Sequence, residues 1–220
     1  MIFMTQEYLR QAFFFFRSHF KTLAAIQLPF LITLALLSAA LQSSIDPDTS
    51  NSGALIYIGL LELACLPLYW GATIFYMQSV LDGKPLSPIT ALSLALSSWG
   101  RLLFTYILNA LAVALGLLLL IVPGVYAGVR LAFADYICVL EGKRPMEALK
   151  SSWKESDLYF WLLLKGFLVI FAGLFLAQML ISQLVSAMPV QMLLTLVVEF
   201  VSVLITIYGF RIFCLMRDER

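Results

Sequence analysis

The sequence is poor in charged residues and in the side chains that most enzymes use for catalysis. Asp, Glu, Lys and Arg make up 12% of the 220 residues, and His19 is the only histidine. We therefore expect neither a His-rich metal site nor a Ser-His-Asp triad within one chain. The sequence also contains no P-loop and no dinucleotide-binding fingerprint. These features favour a non-enzymatic protein with no cofactor and no metal.

Cysteine is equally scarce. Cys65, Cys138 and Cys214 are widely separated, so the sequence predicts neither a disulfide framework nor a Cys-x-x-Cys metal site. We interpret them as small apolar packing residues. The formal net charge is only +1, which gives no support for binding to nucleic acid.

Apolar residues dominate what is present, at 62% of the chain. Backbone polar groups in a bilayer must bond within their own segment, and the apolar runs are too long for barrel strands. The sequence thus predicts an all-α polytopic protein with one integral membrane domain over residues 1–220. Six transmembrane helices are expected, at about 21–41, 54–81, 101–122, 125–140, 158–184 and 190–216.

Three shorter segments have the pattern of helices that lie in the membrane interface. They cover about 5–20, 88–99 and 145–153 and precede the first, third and fifth apolar runs. Pro88 and Pro145 suit the first helical position, with Ser87 as N-cap of the second segment. We expect Ile89 and Leu96, with Leu92 and Trp99, to form the apolar stripe of that helix.

The positions of basic residues predict the orientation of the chain. The loop at 43–53 contains two acids and no base, whereas bases flank the other ends of the apolar runs. Because cytoplasmic flanks are enriched in Lys and Arg, both termini should be cytoplasmic. The first apolar run should be an uncleaved anchor. The expected face for anionic lipid headgroups comprises Arg17, Lys21, Lys84, Arg101, Lys143, Arg144, Lys150 and Lys154.

The order of these segments suggests a unit used three times, at about 5–82, 86–141 and 145–218. Each unit would contain an interfacial helix, an outward span, a turn and an inward span. Each outward span carries a polar residue near its start: Gln27, Asn109 and Lys165. Repeats in membrane proteins often surround a central site. A shared helical-hairpin plan without any cavity would give the same similarity, so both interpretations stay open.

Charged residues inside the spans are the sharpest signal, because charge at the bilayer centre costs a few kcal/mol or more. The candidate intramembrane polar cluster is Glu62, Arg130, Asp135, Lys165, Glu199 and Arg211. Helix depth suggests pairs of Arg130 with Glu199 or Glu62, and of Asp135 with Arg211. Such pairs could join helices, line a polar cavity or relay protons. The Gly-x-x-x-Gly pattern from Gly124 to Gly128 favours close helix packing.

Several stretches resemble the YciC-like family of bacterial inner-membrane proteins. The likeness is carried by residues 122–141 and 148–153, with further support from 8–22 and 207–211. More distantly, the chain is similar to the membrane domain that accompanies some glycerophosphodiester phosphodiesterases, without their catalytic domain. The resemblance implies a polytopic inner-membrane protein and brings no catalytic motif.

The leading hypothesis is a non-enzymatic protein that organises or binds envelope lipids or partner proteins through its basic cytoplasmic face. Its partners would be membrane lipids, mainly anionic ones, or a protein. The first alternative is a small transporter or flippase-like protein that uses the intramembrane charges around a central cavity. The second alternative is an accessory subunit of a lipid-metabolising enzyme encoded elsewhere.

Overall fold

The computed structural model describes residues 2–44 and 52–219, and this part of the chain is helical throughout, with short connections. The predicted polar loop at 43–53 falls largely outside these residues. The helices in order are α1 Ile2–Ser18, α2 Phe20–Ser44, α3 Ser52–Leu81, α4 Pro88–Ser97, α5 Trp99–Leu119, α6 Ile121–Arg130, α7 Ala134–Leu140, α8 Pro145–Glu155, α9 Phe160–Leu184, α10 Met188–Val201 and α11 Val203–Asp218.

Six stretches of the described residues are long and apolar enough to cross a membrane. They are Phe20–Leu41, Ile56–Leu81, Trp99–Leu119, Ile121–Leu140, Phe160–Leu184 and Met188–Asp218. The predicted all-α class and the six predicted spans are confirmed. The boundaries agree to within a few residues because long apolar runs are the clearest signal that a sequence carries.

Two of the predicted spans are each divided into two helices. The fourth is interrupted at residues 131–133, between α6 and α7, and the last is interrupted at Ser202, between α10 and α11. The fourth span was predicted to begin at residue 125, after a turn at 123–124, and this is wrong, because the chain turns at Leu120 and α6 already begins at Ile121. Pro123 is tolerated in the first turn of α6, where its missing N–H would have no helical partner.

Serine hydroxyl groups in α8 and at its C-cap stabilise the interruption between α6 and α7. The carbonyl of Arg130 accepts hydrogen bonds from Ser152 Oγ at 2.9 Å and Ser156 Oγ at 2.8 Å. Ser152 Oγ also accepts from the Phe133 N–H at 3.0 Å. The N–H of Ala134 bonds to the carbonyl of Leu131 in a tighter turn, so the regular i to i−4 pattern stops at this point.

Each of the three short amphipathic helices packs along one helix of a candidate span. Helix α4 packs against α3, α8 against α7, and α1 against α11. The first two pairs are joined by turns whose glycines, Gly83 at φ 72° and Gly142 at φ 66°, occupy the left-handed region that other residues avoid. Each short helix also contacts a second candidate span: α4 contacts α2, α8 contacts α5, and α1 contacts α9.

Small residues allow these short helices to lie close to their partners. Ala12, Ala91 and Ala148 occur at corresponding points of α1, α4 and α8, and each is at most 1% exposed. The residues four and eleven positions later in each segment are buried as well: Phe16, Leu23, Ala95, Leu102, Ser152 and Tyr159. On α4, Ala91 and Ala95 are buried against the rest of the protein, whereas Ile89 and Leu96 are exposed. The apolar stripe expected on this helix is therefore not the face that packs against the other helices.

As predicted, α4 begins with a serine N-cap followed by proline, and α8 begins with proline. Ser87 Oγ accepts a hydrogen bond from the Thr90 N–H at 3.2 Å, and Pro88 is the first residue of α4. Pro145 is likewise the first residue of α8. Proline suits this position because its fixed φ is helical and no N–H is needed there.

Aromatic side chains fill the space between α7, α9 and α11. Tyr136 donates a hydrogen bond from its hydroxyl to the Thr206 carbonyl at 2.9 Å and packs against Phe213. Tyr208 is fully buried and donates to the Leu162 carbonyl at 2.7 Å. It lies against Gly166, where a side chain would overlap the tyrosine ring. These contacts fix how α9 and α11 approach each other.

Candidate functional site

A large, partly open cavity lies between α2, α3 and α10. Its volume is about 1040 Å³, at the upper end of typical small-molecule pockets. Its lining residues lie at positions 27–39 of α2, at positions 62–70 of α3 and along the whole of α10. The residues that line it are Gln27, Leu31, Leu34, Ala35, Ser38, Ala39, Glu62, Leu66, Tyr69, Trp70, Met188, Pro189, Gln191, Met192, Thr195, Leu196, Glu199 and Ser202.

Two carboxylates face this cavity. Glu62 on α3 and Glu199 on α10 are both exposed, and they are close enough to interact electrostatically. Glu62 lies ten residues after the start of α3 and Glu199 eleven residues after the start of α10. At 1.5 Å per residue, both are about 15 Å from the helix ends at this side of the bundle. Both carboxylates thus lie well inside the apolar stretches.

A hydrogen-bonded group forms the inner part of the cavity wall. Gln27 is buried and donates from Nε2 to Thr73 Oγ1 at 3.1 Å. Thr73 donates in turn to the Tyr69 carbonyl at 2.7 Å. These bonds hold α2 against α3 where the cavity ends, and they satisfy polar groups that would otherwise be costly to bury.

Arg130 does not contact either cavity glutamate, so its predicted pairing with Glu199 or Glu62 is wrong. Its side chain is 8% exposed and forms an ion pair with Asp157, which precedes α9. The guanidinium carbon lies 5.7 Å from the ring centre of Tyr126 and 5.3 Å from that of Trp153. Arg130 therefore joins α6, α8 and the start of α9, which is a structural role.

The predicted pair of Asp135 with Arg211 is also wrong. Asp135 lies beside Tyr106 on α5, and Oδ1 of Asp135 is buried without a hydrogen bond among the described residues. Arg211 donates from Nη2 to Gln11 Oε1 at 2.7 Å and so joins α11 to α1. Lys165 is half-buried on α9 next to Gly166. The six candidate charges are thus distributed over several places, and only Glu62 and Glu199 share a cavity.

Most residues of the predicted headgroup face are exposed, namely Arg17, Lys21, Lys84, Arg101, Arg144, Lys150 and Lys154. Two members also make internal contacts. Arg101 donates to the Gly142 carbonyl at 2.8 Å, and Lys143 pairs with Glu141 at 2.9 Å and bonds to Ser151. Arg101 and Lys143 therefore also stabilise the α7–α8 turn.

Some ionisable groups outside the spans have pKa values that their surroundings shift. Hydrogen bonds from Gln11 and Arg10 lower the pKa of Glu7. Burial lowers the pKa of His19, whose Nδ1 lies 2.8 Å from the Tyr76 hydroxyl. Burial, together with its hydrogen bond to Glu219, raises the pKa of Tyr159 to about 12. Within the described residues, no group of three or more His, Cys, Asp or Glu side chains could hold a metal ion.

Three features of the site were not anticipated from the sequence. Tyr69 and Trp70 line the cavity beside the two glutamates, and Asp157 forms the ion pair with Arg130. Gly116 packs directly on Gly124, where an added Cβ on Gly116 would lie 2.7 Å from the Gly124 Cα. A third glycine, eight residues before the Gly-x-x-x-Gly pattern, was the available signal for this close contact.

The fold and the cavity define an all-α polytopic membrane protein. The chain belongs to the uncharacterised protein family UPF0259, whose model matches residues 55–215. This confirms the resemblance to YciC-like proteins, which are the same family. The more distant likeness to a phosphodiesterase membrane domain stays a prediction.

Relatives in this family carry names that describe only their location. The chain is 30% identical over 160 residues to the UPF0259 membrane protein SG1383 of Sodalis glossinidius, covering 67% of this chain and 60% of the relative. It is 26% identical over 150 residues to a UPF0259 membrane protein of Serratia proteamaculans, covering 67% and 60%. The chain thus spans about three fifths of the length of these relatives. No solved structure matches it.

Proposed function

We propose that the protein is a non-enzymatic lipid-binding protein of a bacterial inner membrane, and that its cavity between α2, α3 and α10 holds one amphipathic molecule. The observation that carries this proposal is the cavity itself, which combines mainly apolar walls with two carboxylates. Apolar walls favour an alkyl chain at roughly 0.8 kcal/mol per buried CH₂ group. The carboxylates give one part of the cavity a polar surface for a headgroup.

The position of the cavity supports a ligand that enters from the bilayer. It extends along α2 from Gln27 to Ala39, which corresponds to about 18 Å of helix. That length is comparable with half the thickness of a hydrocarbon core of about 30 Å. With both termini in the cytoplasm, the cavity would lie in the outer half of the membrane.

A bulky side chain inside the cavity tests this proposal. Ala35→Trp on α2 would fill part of the space, whereas Ala172→Trp places the same side chain on the exposed surface of α9, away from the cavity. Both variants and the parent chain would be extracted with their lipids in polymer nanodiscs, and bound lipids would be identified by mass spectrometry. We expect a specifically retained amphiphile in the parent and Ala172→Trp proteins and its loss in Ala35→Trp. Equal retention in all three, at equal thermal stability, would contradict the proposal.

The basic residues support a second contact with lipid, at the cytoplasmic surface. Lys84, Lys150 and Lys154 are exposed, and each could attract anionic headgroups by about 1 kcal/mol. Replacing these three residues with glutamine should lower the fraction of anionic lipid that co-purifies. Replacing the uncharged exposed residues Ser93, Ser97 and Thr90 of α4 with glutamine is the matched control. An unchanged lipid fraction in the lysine variant would remove this part of the proposal.

A small transporter or flippase-like protein is the second candidate, and the two carboxylates about 15 Å inside the helices favour it. Alternating access predicts that a cysteine at Thr195, in an otherwise cysteine-free chain, reacts with membrane-impermeant reagents added to either side. Reaction from one side only would favour a static binding protein. The third candidate, an accessory subunit of a lipid-metabolising enzyme, predicts that an enzyme co-purifies with the chain.

A further inference from the structure

The charged side chains that line the cavity are both negative. Glu62 and Glu199 both line it, and among the described residues its lining contains no lysine, arginine or histidine. Arg130 and Arg211, the arginines on neighbouring spans, are engaged with Asp157 and Gln11 at other places in the fold. Within the described part of the chain, the two carboxylates therefore have no basic partner in the wall that they share.

Two carboxylates that share one mainly apolar cavity are unfavourable when nothing compensates their charge. Each loses hydration inside the membrane, and the two repel each other. A cation between them would interact favourably with both and would offset the repulsion. A phosphate or carboxylate group in the same place would add a third negative charge.

The aromatic residues of the cavity suit the same kind of ligand. Tyr69 and Trp70 line the cavity, and Tyr69 interacts electrostatically with both glutamates. Contacts with Phe30 and with Tyr106 hold the two rings in place. Tryptophan and tyrosine rings attract ammonium groups through their π electrons, most strongly where water is excluded.

We propose that the cavity selects an amphiphile whose headgroup carries a net positive charge, with Glu62 and Glu199 binding an ammonium group and Leu31, Leu34 and Leu66 contacting the alkyl chain. This inference rests on the proposed function and adds the chemical class of the ligand. It excludes headgroups whose phosphate would lie beside the two glutamates without a basic partner.

The test compares two probes that differ in headgroup charge and share a twelve-carbon chain, namely radiolabelled dodecylamine and dodecanoate. Binding to the protein in nanodiscs of neutral lipid at pH 8 would be measured after subtracting binding to empty nanodiscs. We expect saturable binding of dodecylamine at one site, at least about tenfold tighter than binding of dodecanoate.

Charge-neutralising variants of similar shape then assign the selectivity. Glu62→Gln and Glu199→Gln should each weaken dodecylamine binding by about tenfold, and the double variant should lose the preference for the amine. Glu147→Gln on α8 removes an exposed carboxylate that does not line the cavity, so this control should bind like the parent. Thermal unfolding of each variant would verify that the fold is retained.

The possible results separate this inference from the proposed function. If both probes bind with equal affinity and Ala35→Trp abolishes both, the cavity binds amphiphiles but the charge selectivity is wrong. If the double glutamine variant keeps the preference for dodecylamine, the assignment to Glu62 and Glu199 is wrong. If neither probe shows saturable binding, the inference fails, and the proposed function then depends on the separate lipid-retention experiment.

Discussion

Replacing Gly166 with alanine tests how closely α9 and α11 approach each other. A Cβ at position 166 would overlap ring atoms of Tyr208. That tyrosine cannot move outwards easily, because its side chain is fully buried and its hydroxyl donates to the Leu162 carbonyl at 2.7 Å. Gly173 lies two helical turns further along α9 and offers a matched control, because a Cβ there would meet no atom within 4 Å.

The expected effects of the two substitutions have opposite signs. Alanine is the better helix former, so Gly173→Ala should leave stability unchanged or raise it by up to about 1 kcal/mol. Gly166→Ala would have the same local benefit, but overpacking of a tight interior typically costs about 1–3 kcal/mol. Displacement of Tyr208 would also weaken its hydrogen bond, which is worth about 1 kcal/mol. The net expectation for Gly166→Ala is a loss of about 1–3 kcal/mol.

Unfolding in mixed micelles with increasing denaturing detergent would measure both variants. A double variant, Gly166→Ala with Tyr208→Ala, adds a test of mechanism. Because the smaller side chain at position 208 removes the overlap, the double variant should be more stable than the sum of the single effects. If Gly166→Ala is as stable as Gly173→Ala, or if the two effects simply add, the packing argument for this contact is wrong.

Three further predictions concern other parts of the fold. Arg130→Lys should lower stability by about 1–3 kcal/mol, because lysine stacks less well between two rings. Asp157→Asn should lower it by less than about 1 kcal/mol, since Asp157 is 70% exposed, and the opposite order in unfolding assays would contradict the assigned role of the aromatic rings. Burial lowers the pKa of His19, so the folded state disfavours the protonated imidazole. The free energy of unfolding should therefore fall as the pH decreases through about 6.5, the pKa of histidine in the unfolded chain. His19→Asn should reduce this pH dependence, as measured by unfolding at several pH values. In a cysteine-free background, Lys84→Cys should react with membrane-impermeant reagents only from the cytoplasmic side and Ser186→Cys only from the other; the reverse pattern would invert the predicted orientation.

Local sequence rules were sufficient for much of the fold. Pro88 and Pro145 were placed correctly at the starts of α4 and α8, because the cost of proline depends only on its position within a helix. The six spans followed from apolar length. The interruptions at residues 131–133 and at Ser202 were missed, since they depend on contacts between helices, such as the serine hydroxyls that bind the Arg130 carbonyl.

For the charged residues, the sequence indicated which side chains lie in the spans but not which partners they contact. Glu62 and Glu199 were recognised as intramembrane carboxylates, and they do line one cavity. Arg130 was assigned to these glutamates by counting depth along straight helices. The actual partner, Asp157, is brought to it by the way α8 folds back on α7. Depth can be counted from one sequence, but the neighbours of a helix depend on the arrangement of the whole chain.

The packing of α1 against α11 has a consequence for how the protein is made. Gln11 and Arg211, which join these helices, are separated by 200 residues. At about 5–20 residues per second, translation of that interval takes roughly 10–40 seconds. During this time the buried face of α1 lacks its principal partner, while α4 and α8 can dock on the helices made immediately before them. The contact between α1 and α11 can therefore form only after α11 has been synthesised and inserted.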